Sequence, residues 1–522
     1  MHLLSLLLVS CTGAPPGAET PAPDRSAVDE PLGPAPLHSS GPPVPPGSPG
    51  PAPGGPPPFH LQPDLQLVGE RAEHPHNVLI VSLDTVRADR LGVYGGRAET
   101  PTLSALAARG GRFSQAISNF PETCLSHQAM LTGVLPEVHG NVPAVGGSRY
   151  RGPNLAEIAA AEGYATAAFI GGVTLTDRAC GFGRGFGHFD DRFPVDPADM
   201  RRPAADVTAA AARWLADRQG PWLAFVHYFD AHFPYTPQPP WDTRYDPDYD
   251  GDIDGTDAAL RPYRDGGRVP SPRDLAHVLA LYDGELSQLD GMLAPLLAAV
   301  DDDTIVVVTS DHGESFEHGY YFNHRAGLWD PVLRVPLIVA GPGVAPGVVV
   351  DSPVQLIDVA PTVLELAGLP RDARMQGRSQ APALRGDGAE NGESPPAFSI
   401  TDPWMPDPQW AARTSTHKVI VRTDGVLGYD LRRDPGEEHP LSEPPASLLR
   451  LRADYDAQVA SLAAWQAPAP GPRPLGIEEQ ERLEALGYLA PAGTAPRPGA
   501  ASGEGGADGN GQRRGPPTPP KR

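Results

Sequence analysis

Two acids in this 522-residue chain stand directly after apolar runs of strand length. Asp84 closes "NVLIVSLD", and Asp311 with His312 closes "TIVVVTSDH". A third run, "WLAFVHYFDAHFPY", delivers His227, Asp230 and His232. If the runs are strands of one open α/β sheet, their carboxyl ends share an edge, which is where such sheets bind ligands. A single acid there is ordinarily a turn or helix cap. Two acids and a His pair converge on one crevice, and because crowded carboxylates repel, a cation is the natural way to hold them. Oxygen and imidazole ligands together suit one divalent metal, Zn or Mn ahead of Ca or Mg.

The stretch "PETCLSHQAMLTG", residues 121–133, sets Thr123 beside Cys124 just before a helical pattern. Either could attack an ester, a threonine only once a metal or base activates it. Thr123 could equally cap the helix, and Cys124 could be a small buried residue. His127 and His318 read as solvated, His139 as packed under the "PEVHG" turn, and Arg87 as paired with a nearby carboxylate. Further on, "DPDYDGDIDGTD" places Asp246, Asp248, Asp250, Asp254 and Asp257 at the first, third, fifth, ninth and twelfth positions of a calcium-loop pattern, with Gly251 sixth. This is a second, calcium-type candidate.

The elements that must position these groups alternate. Val78–Leu83 is a continuous apolar strand, as buried parallel strands are. "TPTLSALAARGGRF" predicts a helix with Leu103, Leu106 and Ala107 on one face. "NLAEIAAAEGYATAAFIGG" predicts an Asn154/Glu157-capped helix, a stop at Gly163 and a strand. Helix then strand recurs up to "YFDAHFPY" and again up to Thr304–Val308, and "RVPLIVAGPG" adds a strand. The expected fold is α/β: a mostly parallel central sheet with helices on both faces. After about 395, "AFSITD", "HKVIVRT" and "GVLGYDLRRDPGEEHPL" predict a small C-terminal antiparallel sheet, followed by a helix around 445–465.

Pro (65) and Gly (58) concentrate at the two ends, where little apolar surface is available to bury. The expected organisation is a signal segment 1–11, a Pro-rich tether 12–72, a catalytic domain 73–390, a C-terminal subdomain 391–490 and a tail 491–522. "LLSLLLVSC" resembles a bacterial lipobox, which would lipidate Cys11 and anchor the chain in the cell envelope. No apolar run reaches the roughly 18 residues of a membrane-spanning helix. A net charge of −23 disfavours nucleic acid as a partner. It leaves anionic small molecules open, since a bound metal reverses the local field. Three cysteines, Cys11, Cys124 and Cys180, do not make a disulfide framework.

The series "NVLIVSLDTVRADRLGVYG", "TPTLSALAARGGRFSQAIS", "SHQAMLTGVLPEVHG", "TSDHGES", "LRVPLIVAGPG" and "YDLRRDPGEE" resembles the sulfatase family of the alkaline phosphatase superfamily, over residues 77 to about 490. The resemblance implies an alkaline-phosphatase-like fold and a metal-dependent ester hydrolase. Formylglycine sulfatases carry C-x-P-S-R before a helix ending L-T-G; aligned on "LTG", this chain has Thr123 at the cysteine place, Leu125 at the proline and His127 at the arginine. No formylglycine is therefore expected. The set Asp84, Thr123, Asp311 and His312 is similar to the threonine-nucleophile branch, which includes phosphoethanolamine transferases and lipoteichoic acid synthases. That branch implies Thr123, His232 and His324 as catalytic, with His324 twelve residues past His312. The expected function is hydrolysis of sulfate or phosphate esters through a covalent threonine intermediate, by a monomer. The alternatives are a formylglycine arylsulfatase using Cys124 and an inactive anion-binding or glycan-binding surface lipoprotein.

Overall fold

The computed structural model describes residues 67–140, 149–193, 201–325, 327–386, 395–401 and 407–466. Cys11, the tether up to residue 66 and the tail lie outside them. Among the described residues no helix is long and apolar enough to cross a membrane.

The apolar runs become the centre of an eight-stranded sheet. Its order is Val348–Val350, Gly111–Phe113, Leu337–Ala340, Thr304–Thr309, Asn77–Leu83, Trp222–Tyr228, Ala165–Phe169 and His188–Asp190. Side chains alternate between the two faces of each strand, which explains why these runs are apolar throughout. Val78, Ile80, Leu223, Phe225, Ile305 and Val307 enter one core, with helices Thr123–Thr132 and Val359–Ala367. Leu79, Val81, Ala224, Val226, Val306 and Val308 enter the other, with Pro101–Arg109, Ala204–Ala216 and Pro272–Ala298.

The sheet is mixed. Asn77–Leu83 is parallel to both neighbours, but Leu337–Ala340 runs antiparallel to Thr304–Thr309 and to Gly111–Phe113. The chain turns back to it from the carboxyl edge through residues 310–336 without a crossover helix, and such a return can only be antiparallel. The expected helix with Leu103, Leu106 and Ala107 buried is Pro101–Arg109. The capping box at Asn154 and Glu157 is present.

The C-terminal sheet is four-stranded and antiparallel: Ala397–Ile400, Trp410–Arg413, His417–Arg422 and Gly425–Asp430. The short Trp410–Arg413 strand carries no alternating pattern that announces it. The helix Ala446–Ser461 packs on this sheet through Leu448 and Tyr455. A buried ion cluster joins the sheet to the helix Asp330–Leu333: Lys418 Nζ meets Asp330 at 2.9 Å and Glu437 at 2.7 Å, and Arg413 meets Asp330 at 2.9 Å.

Candidate active site

Register brings the strand-end residues level. Ser82 is paired with Thr309 on one side and His227 on the other, so Asp84 and Asp311, each two residues further on, leave the sheet at the same edge. Ser82 and His227 share the parity of Ile80 and Phe225 and face the helix Thr123–Thr132. That helix is buried over its whole length, which explains why its sequence is nearly uncharged. Glu122 occupies the N-cap, its carboxylate accepting from Leu125 N at 3.3 Å. Thr123 is therefore not the cap; it begins the first turn.

Ligand atoms of Asp84, Asp311 and His312 lie within 4.8 Å of one another, and all three residues are buried. Thr123 Oγ1 lies 3.3 Å from Asp84 Oδ2 and 3.5 Å from His312 Nε2. The four residues expected to gather do so. His312 Nδ1 donates to Gly313 O at 3.0 Å, leaving Nε2 with its lone pair facing the acids. Gly313 is required there, because a Cβ would sit 2.0 Å from Pro331 O.

Burial, followed by the charge of Asp311, raises the Asp84 carboxyl well above the usual range. Burial acts on Asp311 in the same sense, but His312, His127 and His227 outweigh it and hold that carboxyl low. Two such acids cannot both stay ionised without a countercharge. Asp84 Oδ1 and Asp311 Oδ2 are buried and receive no hydrogen bond. Two oxygens without donors and one imidazole lone pair are the donor set a divalent cation requires.

Around this set the polar groups are ordered. His227 Nε2 donates to Asp84 Oδ2 at 3.0 Å. His127 lies buried, contrary to its expected solvation: Nδ1 donates to Thr123 O at 2.7 Å and lies 3.5 Å from Asp311 Oδ2, while Nε2 accepts from Ser82 Oγ at 2.8 Å. It sits four residues after Thr123, one helical turn on the same face, and that spacing was a usable signal. Burial lowers both imidazoles, His127 to about 3 and His227 to about 4. His324 stacks on His312 with ring centroids 4.1 Å apart and donates from Nδ1 to Pro121 O at 2.8 Å. His232 lies 5.6 Å from His324 between ring centroids; its Nδ1 donates to Phe233 O, and its buried Nε2 has no hydrogen bond.

The backbone after Asp84 is strained. Thr85 has φ 57°, a costly conformation for a β-branched residue. Tyr282 holds it, its hydroxyl donating to Thr85 O at 2.7 Å and accepting from Arg87 N at 3.0 Å. Arg87 pairs with Asp89 and Glu317, as expected.

Two expectations meet different outcomes in the structure. Three acids of the 246–257 loop are taken by protein partners, and the loop's acids do not gather round a point. Asp246 pairs with Arg273 and with His277 at 2.9 Å, Asp254 accepts from Thr256, and Asp257 pairs with Arg261 at 2.7 Å. Among the described residues, Asp84, Asp311 and His312 form the one group suited to a metal. Secondly, Cys124 is disulfide-bonded to Cys180, a pairing that the cysteine count did not suggest. Asp230, expected at the same edge, turns its Oδ1 to Ala204 N at 3.1 Å.

The family model described as Sulfatase matches residues 76–369, more than half of the chain. This protein belongs to the sulfatase family. A second model, N-sulphoglucosamine sulphohydrolase, C-terminal, matches residues 316–460. Mouse steryl-sulfatase is 27% identical, over 76% of this chain and 84% of its own length. Zebrafish arylsulfatase K is 33% identical over 35% of each chain, so this chain spans about a third of that relative. Among solved structures, one in complex with D-glucosamine-2-N,6-O-disulfate has a TM-score of 0.62 at 18% identity, covering 74% of this chain and 98% of that one. The phosphonate monoester hydrolase of Agrobacterium radiobacter has a TM-score of 0.60 at 21% identity, covering 74% and 95%. This sulfatase-family chain is an ester hydrolase with an Asp–Asp–His site suited to a divalent metal.

Proposed function

We propose that this sulfatase-family chain hydrolyses sulfate monoesters, and secondarily phosphorus esters, with Thr123 as the covalent nucleophile. The observation carrying the reading is the Thr123 hydroxyl within 3.5 Å of both Asp84 and His312, while the sulfur of Cys124 is already bonded to Cys180. The sulfate preference rests on the steryl-sulfatase and arylsulfatase relatives, and the phosphorus ester on the phosphonate monoester hydrolase.

Bound by Asp84, Asp311, His312 and Thr123, a divalent cation, Zn or Mn by donor type, would offset the carboxylate charges and make the hydroxyl acidic. Thr123 sits in the first helical turn, where backbone amides favour negative charge. Its Oγ1 attacks sulfur or phosphorus, the ester oxygen leaves as an alcohol carrying a proton, and water then releases the inorganic anion and restores the hydroxyl. His232 and His324 form the wall that contacts the non-bridging and leaving oxygens, and one of them takes up the Thr123 proton at Nε2 and passes it to the leaving oxygen. The chain acts as a monomer, lipid-anchored through Cys11 in the cell envelope; a disulfide supports an oxidising compartment.

The test is a panel of aryl sulfate, phosphate monoester, diester and phosphonate, run with wild type and Thr123→Ala. It is joined by metal analysis and by mass spectrometry of the non-reduced peptides Phe113–Arg149 and Ala179–Arg184. Loss of turnover in Thr123→Ala, with the two peptides linked, is expected. An aldehyde at Cys124 would replace this reading with a formylglycine mechanism. Absence of any turnover and of any bound metal in wild type would leave an anion-binding protein.

A further inference from the structure

The cation site and the nucleophile are held by different parts of the fold. Asp84, Asp311 and His312 come from strand ends. Thr123 belongs to a helix turn that approaches them from the side. On one flank that turn is tied by His324, whose Nδ1 donates to Pro121 O. On the other flank the tie is covalent: Cys124 is bonded to Cys180 across 56 residues of sequence. Cys180 ends the short helix Asp177–Cys180, which Thr176 caps by accepting from Ala179 N. Phe182, two residues on, packs edge-on against His127 with ring centroids 5.8 Å apart, and His127 is the residue that donates to Thr123 O. The segment 176–182 thus grips the nucleophile's turn through a covalent bond and through an imidazole, yet supplies no atom to the metal-binding set.

We propose that the Cys124–Cys180 disulfide is a positioning element for Thr123, so that the hydrolase becomes fully competent only once these two thiols are oxidised. This rests on the Thr123 reading above. In forming the bond the thiols give up two protons and two electrons. A disulfide-bearing exchange partner, such as an oxidoreductase or oxidised glutathione, accepts them: one cysteine thiolate attacks its disulfide, the other displaces it, and the partner leaves as thiols. Displacement of a reacting group by about 1 Å can cost 10²-fold in rate, so loss of the clamp acts on kcat while the three strand-end ligands, Asp84, Asp311 and His312, remain in place.

The experiment compares full-length wild type, Cys180→Ala and the double variant Cys124→Ala/Cys180→Ala for metal stoichiometry, KM and kcat on the best substrate of the panel. The double variant is expected to bind metal as wild type does, with KM within about twofold and kcat lower by about tenfold to hundredfold. A second arm refolds wild type with and without oxidised glutathione, and full activity should return in step with the loss of two thiols. Wild-type kcat in the double variant overturns the proposal. If that variant fails to melt cooperatively, full activity of refolded wild type with both thiols free overturns it instead. Failure of the Thr123 reading looks different: the double variant, which lacks Cys124, is dead while Cys180→Ala is fully active.

Discussion

Two clusters of buried charge lie at opposite ends of the loop that runs from residue 310 to 336, and they are built on opposite rules. At the domain joint, Asp330 and Glu437 meet Lys418 and Arg413 at 2.7–2.9 Å. At the strand ends, Asp84 and Asp311 face each other with one oxygen apiece receiving no donor. Arg413 and Lys418 pull Asp330 well below the usual carboxylate range against the opposing effect of burial, whereas burial and Asp311 push Asp84 up. The joint is electrostatically closed and serves stability. The edge is left open, and the missing countercharge belongs to a ligand. Burial alone does not mark a functional acid; burial without a protein countercharge does.

Thr123→Ala gives the largest effect expected on this contrast: turnover falls by about 10³-fold or more, with the melting temperature unchanged, as kinetics and calorimetry together would record. Next, Lys418→Met strips the joint of its central cation and leaves two buried acids facing each other. It should cost roughly 3–5 kcal/mol in urea unfolding with little change in metal stoichiometry. Asp84→Asn is the mirror experiment. It abolishes metal binding, yet the metal-free variant should be at least as stable as metal-free wild type, because burial and the charge of Asp311 already disfavour an anion at that position; a loss comparable to that of Lys418→Met would break the comparison.

A third buried acid tests the rule through pH. Glu285 Oε1 accepts from Thr236 N at 2.8 Å, and burial raises its carboxyl to about 7 from 4.5. The folded state holds this proton more tightly than the unfolded state. The stabilisation is therefore complete below pH 4.5, falls as pH rises to 7 and is flat above. Glu285→Gln should remove that slope and, at pH 8, stabilise by up to roughly 3 kcal/mol on denaturant titration. The smallest effect belongs to Tyr282→Phe, which leaves Thr85 O and Arg87 N without their shared hydroxyl. A loss of about 1–3 kcal/mol is expected, with a rise in KM for metal activation if the strained turn relaxes.

Much of the sheet edge was legible. The apolar run up to Leu83 and that up to Thr309 announce strands buried on both faces, and an acid straight after such a strand stands at its carboxyl end whatever the rest of the fold does. Asp84, Asp311 and His312 were found in that way, and Thr123 by its place before "LTG". For His127 the spacing from Thr123 shows only the shared helix face; that this face, like every other face of the helix, is buried follows from packing alone. The calcium-type spacing of the 246–257 loop meets a different outcome: Arg273 and His277, 27 and 31 residues past Asp246, take that carboxylate first.

The sequence by itself determined which residue types end each strand and begin the buried helix, because periodicity and apolar runs are local properties of the chain. Which cysteine pairs with which, whether each buried acid meets a guanidinium or only another carboxylate, and the antiparallel return of Leu337–Ala340 were decided by tertiary structure. Each of these depends on distances between residues tens to hundreds of positions apart, and such distances are set only when the two cores close on the sheet.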